Sequence, residues 1–409
     1  MRIRYSAAEN GKPVKKAIVY TKNEHKIDRS AVDNDALRIV ERLKEGGHET
    51  YIVGGAVRDL VIGNKPKDFD IVTDAPPTRI KRLFRNSRII GRRFRLVHVF
   101  FGPKIYEVST FRSLKDGTTS NTYGTVDEDV LRRDFTFNAL FYDPQEEVVV
   151  DYVGGFKDIL AKRVKPVIPL KIIFKDDPVR MLRAAKYAAS TGFKLPLSLQ
   201  WKIKAEASLL APVSPSRLTE EILKIINSGY SRRIVELMDK LGIFMYLQPR
   251  AAILMKQSPA FRSDYLESLS QLDQSQHSDT EARSGRHLSF LIRSFLDREL
   301  NWESASPESY KEAFVACRSY VLPMNPPRVE LENALRLLFR DHGLVARKAR
   351  SFERGARRDL SEGRATEAVG KEGLNQEGAL DLAEGEAKKK KRRRKRRKSP
   401  PSSTMGSPE

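Results

Sequence analysis

Cysteine and long apolar runs are nearly absent from this sequence. Among 409 residues only Cys317 is a cysteine, which excludes an internal disulfide framework and a cysteine-rich metal site. Its place in the apolar-periodic run AFVACRSYVL predicts a buried thiol. No stretch reaches the roughly 18 apolar residues of a membrane-spanning helix, and the basic N-terminus lacks the apolar core of a secretion signal. We therefore expect a soluble, cytoplasmic protein without membrane attachment.

Acidic residues are also in the minority. Lys and Arg number 75 against 53 Asp and Glu, so the formal net charge is +22. This surplus predicts a polyanionic partner, and RNA or DNA fits it better than an acidic membrane surface. One uninterrupted basic run lies near the C-terminus: Lys388, Lys389, Lys390, Lys391, Arg392, Arg393, Arg394, Lys395, Arg396, Arg397 and Lys398. We expect it to bind RNA from a disordered tail, residues 351–409, although a tail that only aids solubility is the alternative.

The apolar pattern divides the rest of the chain. Residues 1–28 are polar and basic, and we interpret them as a flexible arm. Strand and helix patterns then alternate to about residue 160: strands at 49–55, 68–73, 87–91, 94–101, 104–112 and 147–155, helices at 33–45 and 77–85, and a helix running into a strand at 127–142. Only helix patterns follow, at 178–190, 199–211, 215–228, 230–244, 287–300 and 332–344, with a mobile connection or weak helix at 262–286. The expected fold class is α+β, a mixed-sheet head followed by an all-α region.

The segment YIVGGAVRDLVIGNKPKDFD carries the first chemical signal. Gly54 and Gly55 follow a predicted strand and permit a tight turn, after which a helix points backbone N–H groups at an anion. Arg58, in the first helical turn, can reach a phosphate with a charge-assisted fork. Two glycines before a helix are also a common structural turn, so phosphate binding needs support from other residues.

That support comes from Asp68 and Asp70. Residues i and i+2 of an extended segment face the same way, so the two carboxylates repel each other unless a cation lies between them. Mg²⁺, a hard ion that prefers carboxylate and phosphate oxygens, resolves the repulsion, with Mn²⁺ as the alternative ion. Glu107 in KIYEVSTFR would add a third carboxylate from a neighbouring strand, as in two-metal sites for phosphoryl-type transfer. Solvated surface acids are the alternative interpretation of all three residues.

The order of motifs resembles a known family. GGAVRD and DFD, then RRDFTFNALFYDP (132–144), DYVGGFKD (151–158) and DDPVRMLRA (176–184), are similar to the successive motifs of one nucleotidyltransferase class. That class joins bacterial poly(A) polymerases and tRNA CCA-adding enzymes. The resemblance implies a five-stranded catalytic head, here 29–160, a helical neck that binds nucleotide and RNA, 161–245, and a helical body and tail that binds RNA, 246–350.

The resemblance also implies roles for individual residues. Asp68, Asp70 and Glu107 would bind the metal ions, and with Asp134 they would form the catalytic set. The nucleotide, ATP, would be held by Gly54, Gly55, Arg58, Arg132, Arg133, Asp177, Arg180 and Arg183. Asp177 and Arg180 would read the base, because an acceptor-only carboxylate and a donor-only guanidinium together complement its pairing edge. Without the resemblance, these stretches would be taken as surface ion pairs or as a charged helix start.

The choice between the two activities depends on smaller features. The segment IIGRRFRLVHVFFG (89–102) is similar to one that marks bacterial poly(A) polymerases, and its Arg92, Arg93 and Arg95 are candidate RNA contacts. The basic tail suits RNA binding without sequence preference. A short segment between Phe111 and the RRD motif argues the other way. We therefore expect template-independent addition of AMP from ATP to RNA 3′ ends in RNA polyadenylation and mRNA processing, with RNA-turnover proteins as further partners. CCA addition is the alternative.

Two other classes fit less well. A non-catalytic RNA-binding protein on a transferase scaffold would have no need for all three acids and the triphosphate arginines. A transferase acting on small molecules would leave the helical half and the basic tail without a purpose. His98, in the strand LVHVFF, is interpreted as a core histidine, with a catalytic role as the alternative.

Overall fold

The computed structural model describes residues 2–7, 13–91, 96–113, 123–278, 284–306 and 308–344. Within them nine strands form one mixed sheet: β1 (Arg2–Ala7), β2 (Pro13–Thr21), β3 (Thr50–Val53), β4 (Asp70–Thr73), β5 (Ser87–Ile90), β6 (Leu96–Phe101), β7 (Lys104–Thr110), β8 (Leu140–Asp143) and β9 (Val148–Asp151). Their spatial order is β1-β2-β9-β8-β3-β4-β7-β6-β5. Among these strands the β4–β7 pair is parallel and the other neighbours are antiparallel.

Helices cover the sheet and make up the later part of the chain. They are α1 (Lys22–His25), α2 (Asn34–Glu45), α3 (Gly55–Ile62), α4 (Pro77–Leu83), α5 (Val126–Leu131), α6 (Gly155–Leu160), α7 (Ile173–Asp176), α8 (Val179–Thr191), α9 (Leu197–Glu206), α10 (Pro215–Ile226), α11 (Ser231–Lys240), α12 (Phe244–Leu247), α13 (Pro249–Gln257), α14 (Pro259–Ser278), α15 (Ser284–Glu299), α16 (Ser309–Tyr320) and α17 (Arg328–Asp341). None of these helices is long and apolar enough to cross a membrane. The described residues belong to one compact unit, Met1–Arg347.

Alternation along the strands gives the sheet two packed faces. Ile71 and Val108 lie on the face that α2, α3 and α4 cover, and they belong to the main hydrophobic core. Val53 and Val72 lie on the opposite face, in a smaller core that α5 covers with Val126. Polar residues that share this second face along β4 and β7 therefore open toward the side where α5 ends.

The N-terminal segment corrects one expectation. Residues 1–28 were interpreted as a flexible arm, but β1 and β2 extend the sheet, with Ile18 opposite Asp151 and Thr21 opposite Val148. The apolar run Ala17–Tyr20 explains the difference, because all four side chains are buried. The sheet has nine strands where the resemblance implied five, and β1 and β2 are two of the four additional strands.

The helical region agrees with the expectations at most positions. Helix α2 begins after the N-cap Asp33, whose carboxylate accepts a hydrogen bond from the Asp35 N–H, and each predicted helix after residue 172 is present within a few residues. Of the two alternatives for 262–286, the mobile connection is wrong up to Ser278, because these residues continue helix α14, which buries Leu269 and Leu272. The expected burial of the Cys317 thiol, in α16, is confirmed.

Candidate active site

A cavity of about 360 Å³ lies on the face of the sheet where α5 ends. Its walls come from β3, β4 and β7 on one side and from α5, α8 and their flanking segments on the other. Ten of the residues predicted for the site line it: Gly54, Gly55, Asp70, Glu107, Arg132, Arg133, Asp134, Asp177, Arg180 and Arg183. Residues far apart in sequence thus form one polar cavity.

Asp70 and Glu107 hold corresponding places on the parallel strands β4 and β7. The register pairs Ile71 with Val108 and Val72 with Ser109, so the preceding residues Asp70 and Glu107 lie side by side on the cavity face. The prediction that Glu107 lies on a strand next to the DFD strand is confirmed.

The electrostatics of Asp70 favour uptake of a cation. Desolvation, together with the charges of Glu107 and Asp68, raises the pKa of the Asp70 carboxyl to about 6, while the charge of Arg133 opposes the shift. Oxygen donors that repel one another are the donor set that a divalent ion such as Mg²⁺ prefers. The residues present therefore fit such an ion.

Asp68 is less closely placed than expected. It acts on the charge of Asp70, but it lines a separate groove beside Lys67 and Phe69 and not the arginine-lined cavity. Within the described ranges no group of three His, Cys, Asp or Glu side chains is arranged so that it could hold a metal ion. Of the predicted three-carboxylate cradle, Asp70 and Glu107 lie together in the cavity, whereas Asp68 lies in the neighbouring groove.

Gly54 lines the cavity at the turn between β3 and α3. Its φ of 74° and ψ of −135° are open to glycine and strained for other residues. A Cβ built there would lie 3.6 Å from Asp70 Oδ2 and 3.8 Å from Arg133 Nη1. The turn after β3 therefore brings backbone close to a carboxylate and a guanidinium at once.

Arg58 lies behind the residues that line the cavity. It is absent from the cavity lining; its Nη1 donates to Asn138 Oδ1 at 2.9 Å and its Nε to Asp59 Oδ1 at 2.9 Å. The guanidinium also lies over the Tyr187 ring at 5.5 Å. Asn138 and Tyr187 line the cavity, so Arg58 supports two of its lining residues. A motif within one segment could not predict these partners, because they are distant in the sequence.

The RRD motif is buried structure rather than a surface ion pair. Arg133 Nη2 is 2.9 Å from Asp129 Oδ2, and Arg183 Nη2 is 2.9 Å from Asp134 Oδ2. Asp134 is 4% exposed, and it also accepts a hydrogen bond from the N–H of Phe135. Asp134, expected among the catalytic residues, thus lines the cavity in contact with Arg183.

Burial also acts on the arginines. It lowers the pKa of Arg112, and burial together with the neighbouring Arg112 lowers the pKa of Arg132. Desolvated cations that repel one another are stabilised when an anion binds between them. The cavity is therefore electrostatically prepared for a polyanion such as a triphosphate.

The residues expected to read a base have partners within the protein. Both oxygens of Asp177 accept from Arg217 Nη2 at 2.9 Å, and Asp177 Oδ1 also accepts from the N–H of Val179. Arg180 is buried, with its Nη1 3.0 Å from Asp176 Oδ2. Asp177 and Arg180 thus line the cavity in fixed positions, one helical turn apart.

Sequence reasoning missed several lining residues and misjudged one histidine. Arg112, Asp129, Asn138 and Tyr187 line the cavity; Arg112 ends the quoted run KIYEVSTFR and was the most accessible to prediction. His98 is not in the core as expected. It lies on β6 opposite Glu107, with its half-buried ring nitrogen Nε2 3.5 Å from Glu107 Oε1.

Some predicted residues cannot be placed. Arg92, Arg93 and Arg95, and the basic run from Lys388 to Lys398, lie outside the described residues.

Comparisons with known proteins show which family the sequence around the cavity resembles. A family model described as "Poly A polymerase head domain" matches residues 50–165, and one described as "Probable RNA and SrmB- binding site of polymerase A" matches residues 192–254. The matched regions are similar to the nucleotidyltransferase family of poly(A) polymerases and CCA-adding enzymes. The head-domain match contains Gly54, Asp70, Glu107 and the RRD motif, so the cavity lies largely within it.

Individual members of this family are similar to this chain over part of its length. Poly(A) polymerase I of Escherichia coli O157:H7 is 40% identical over 260 residues, which are 60% of this chain and 56% of that protein. The CCA-adding enzyme of Geobacillus kaustophilus is 35% identical over 239 residues, 56% of this chain and 59% of that protein. The chain thus spans little more than half the length of these relatives. A solved CCA-adding enzyme in complex with ATP matches with a TM-score of 0.50 and 18% identity, over 80% of this chain and 85% of that one, and supports the fold alone.

Proposed function

We propose that this protein is a poly(A) polymerase, which adds AMP from ATP to RNA 3′ ends without a template and releases pyrophosphate. The observation that carries the proposal is one cavity in which Asp70 and Glu107 face a group of largely half-buried arginines. The carboxylates can hold a cation that contacts the reacting hydroxyl and phosphate, and the arginines can bind the triphosphate.

The residues divide the work between them. Asp70 and Glu107, with Asp68 at the edge, would hold Mg²⁺ or Mn²⁺, which would activate the RNA 3′ hydroxyl and neutralise charge on the phosphates. Arg112, Arg132 and Arg133 bind the triphosphate oxygens. As the 3′ hydroxyl loses its proton to solvent and its oxygen bonds to the α-phosphorus, the bond from that phosphorus to the bridging oxygen breaks and pyrophosphate departs. These arginines stabilise the departing charge because they are already desolvated.

Asp177 and Arg180 select the nucleotide in this proposal. The adenine N6 amino group donates to an Asp177 oxygen and the N1 nitrogen accepts from Arg180, which matches their donor and acceptor types. Arg217 fixes the carboxylate of Asp177, and Asp176 fixes Arg180, so neither side chain needs to be ordered when ATP binds.

Three features favour poly(A) over CCA addition. Identity to the poly(A) polymerase is higher, 40% against 35% for the CCA-adding enzyme. The basic segment at 92–95 and the tail motif suit RNA of any sequence. A cytoplasmic role in RNA polyadenylation and mRNA processing, alongside RNA-turnover proteins, follows from the same proposal.

One experiment separates the two activities. The protein is incubated with ATP or with CTP, each with an unstructured RNA and with a tRNA that lacks its terminal nucleotides. Long A-tracts on the unstructured RNA are expected. Addition of C, C and A confined to the tRNA would overturn poly(A) synthesis in favour of CCA addition.

A further inference from the structure

Strands β5, β6 and β7 form one end of the sheet, and their two faces are packed differently. On one face Val97 and Val99 are buried in the main hydrophobic core, which α4 covers. On the other face Leu96 and Phe100 are half-buried and belong to neither hydrophobic core, and Ile105 is 55% exposed. In the part of the chain that the structure describes, this second face is therefore largely open to solvent.

The strand register joins this second face to the carboxylate pair. His98 on β6 lies opposite Glu107 on β7, and Arg88 on β5 lies opposite His98. Because residues opposite each other in an antiparallel pair share a face, Asp70, Glu107, His98 and Arg88 form one row across four strands. Neighbouring strands are about 4.8 Å apart, so the row extends about 14 Å from Asp70 to the edge of the sheet.

Two further rows lie on the same face. Phe100 is opposite Ile105, and Leu96 is opposite Ser109. Leu96 and Ser109 also line the arginine-rich cavity. The surface that these rows form, the open sheet face, comprises Arg88, Leu96, His98, Phe100 and Ile105. It is continuous with the cavity, because Leu96 belongs to both.

The charge of this part of the chain indicates a polyanionic ligand. Residues 75–106 contain nine Lys and Arg and no Asp or Glu. Arg88 is exposed on β5, the outermost strand, and Arg85 is exposed just before it. A sheet face that offers aromatic side chains beside cations is the arrangement with which proteins stack the bases and hold the phosphates of single-stranded RNA. An apolar protein partner would leave these cations unpaired.

The in-line geometry of nucleotidyl transfer indicates the direction from which RNA approaches. The attacking and leaving oxygens lie on opposite sides of the α-phosphorus. Arg133 and the turn at Gly54 flank Asp70 on the β3 side, where the proposed function places the departing pyrophosphate. The RNA hydroxyl must then approach from the opposite side, and β7, β6 and β5 follow Asp70 in that direction.

We propose that the open sheet face binds the last nucleotides of the RNA, with the 3′ hydroxyl next to Glu107. A base packs against Phe100 and Ile105, and Arg88 contacts a backbone phosphate. The proposal rests on the proposed function for RNA as the substrate, and it adds the surface along which the RNA 3′ end enters. That surface lies in the head-domain match, residues 50–165, and is a different part of the chain from the match at residues 192–254.

Photo-cross-linking to the full-length protein locates the RNA. An unstructured 20-nucleotide RNA carries 4-thiouridine either next to its last nucleotide or at its 5′ end, and it ends in a 3′-deoxynucleotide so that no transfer occurs. We expect the first RNA to cross-link to the tryptic peptide LVHVFFGPK, residues 96–104, and the second RNA to do so much less. Cross-links of the first RNA confined to other peptides would overturn the proposal.

Affinity gives the second measurement. Phe100→Ala should weaken RNA binding about tenfold and Phe100→Tyr much less, because the aromatic ring stacks on a base. Ile105→Ser, at an exposed position where the fold is little affected, should weaken binding as well. Arg88→Gln should reduce the logarithmic salt slope by about 0.7, the contribution of one phosphate contact on a single strand. Arg79→Gln, exposed on α4 at the other face of the sheet, removes the same charge and should leave the slope unchanged.

Transfer kinetics give the third measurement. Arg88→Gln should raise KM for RNA several-fold and leave KM for ATP and kcat unchanged, because Arg88 does not line the arginine-rich cavity. A fall in kcat with an unchanged KM for RNA would contradict the assigned phosphate contact.

These outcomes separate the open sheet face from the proposed activity, because cross-linking and affinity do not require transfer. Equal RNA affinity of Phe100→Ala, Ile105→Ser and the unmodified protein would overturn the proposal even if AMP is added. Loss of self-association or of a protein partner in Phe100→Ala, with RNA affinity intact, would overturn it as well. Cross-linking to residues 96–104 without any AMP addition would count against the polymerase alone.

Discussion

Asp70 and Glu107 lie side by side on adjacent parallel strands, and the charge of Glu107 helps to raise the pKa of Asp70 to about 6. Because this value is above the 3.8 of a free aspartate, the folded protein binds the proton more tightly than the unfolded chain does. This term stabilises the fold fully below pH 3.8 and is lost as the pH rises through about 6. At neutral pH the ionised Asp70 carboxylate therefore costs stability, which a bound cation restores.

The first prediction concerns this titration. In metal-free protein the Asp70 carboxyl should titrate near pH 6 when followed by carbon-detected NMR. Glu107→Gln should move the midpoint toward the ordinary value, but only part of the way, because desolvation is the larger cause. Asp74→Asn, just beyond the same strand, is the matched control and should leave the midpoint where it is. A midpoint near 4 in the unmodified protein would contradict the electrostatic account of the pair.

The second prediction concerns the turn at Gly54. Gly54→Ala should cost about 1–3 kcal/mol of unfolding free energy, because φ of 74° with ψ of −135° strains any residue with a Cβ. It should also lower kcat/KM, because the turn supports Asp70 and Arg133. Gly63→Ala, at φ of 87° with open space around its Cβ position, provides a control for strain away from the cavity. Equal activity in the two variants, measured alongside urea unfolding, would show that the turn only stabilises the fold.

A third prediction concerns Asp134 as a positioning residue. Asp134→Asn should destabilise the protein by about 1–2 kcal/mol, because it breaks a largely buried pair whose partner Arg183 still reaches solvent. It should raise KM for ATP more than it lowers kcat. Asp158→Asn breaks a similar buried pair, with Arg163, outside the cavity, and should change stability but not KM. A change confined to kcat in Asp134→Asn would favour a direct catalytic role.

Particular residues show how far the sequence alone could predict this site. Alternation in KIYEVSTFR was enough to place Glu107 on a strand beside Asp70, because period-two patterns and short connections determine strand neighbours. The direction taken by Arg58 could not be predicted, since it depends on Asn138, 80 residues away. The pairing of Asp177 with Arg217 is hidden for the same reason, as 40 residues separate them.

The N-terminal hairpin illustrates another limit. Ala17–Tyr20 is a short apolar run of strand-forming residues, and such a run can be assigned to a sheet only when its partner strand is known. Its partner β9 lies about 130 residues later in the chain. Helix α14 was underestimated because its many Ser, Gln and Asp residues lower the helix propensity, while tertiary packing of Leu269 and Leu272 stabilises it.

The fourth prediction concerns the basic run at residues 388–398. Replacing it with an equally long Gly-Ser segment should weaken RNA binding and flatten its dependence on salt, since each phosphate contact on a single strand contributes about 0.7 to the logarithmic slope. The transfer rate at saturating RNA should stay within about twofold, because backbone contacts position RNA without entering the chemistry. Binding titrations between 50 and 200 mM salt, roughly the range over which such contacts respond, test this. An unchanged slope would exclude the run as an RNA contact.

The most direct measurement is transfer of labelled AMP from ATP to an unstructured RNA by Asp68→Asn, Asp70→Asn and the control Asp74→Asn. The account predicts that the first two lose at least about a hundredfold in rate while RNA affinity persists, and that Asp74→Asn is unaffected. Transfer at the unmodified rate by both Asp68→Asn and Asp70→Asn would contradict a nucleotidyl-transfer site built on these carboxylates.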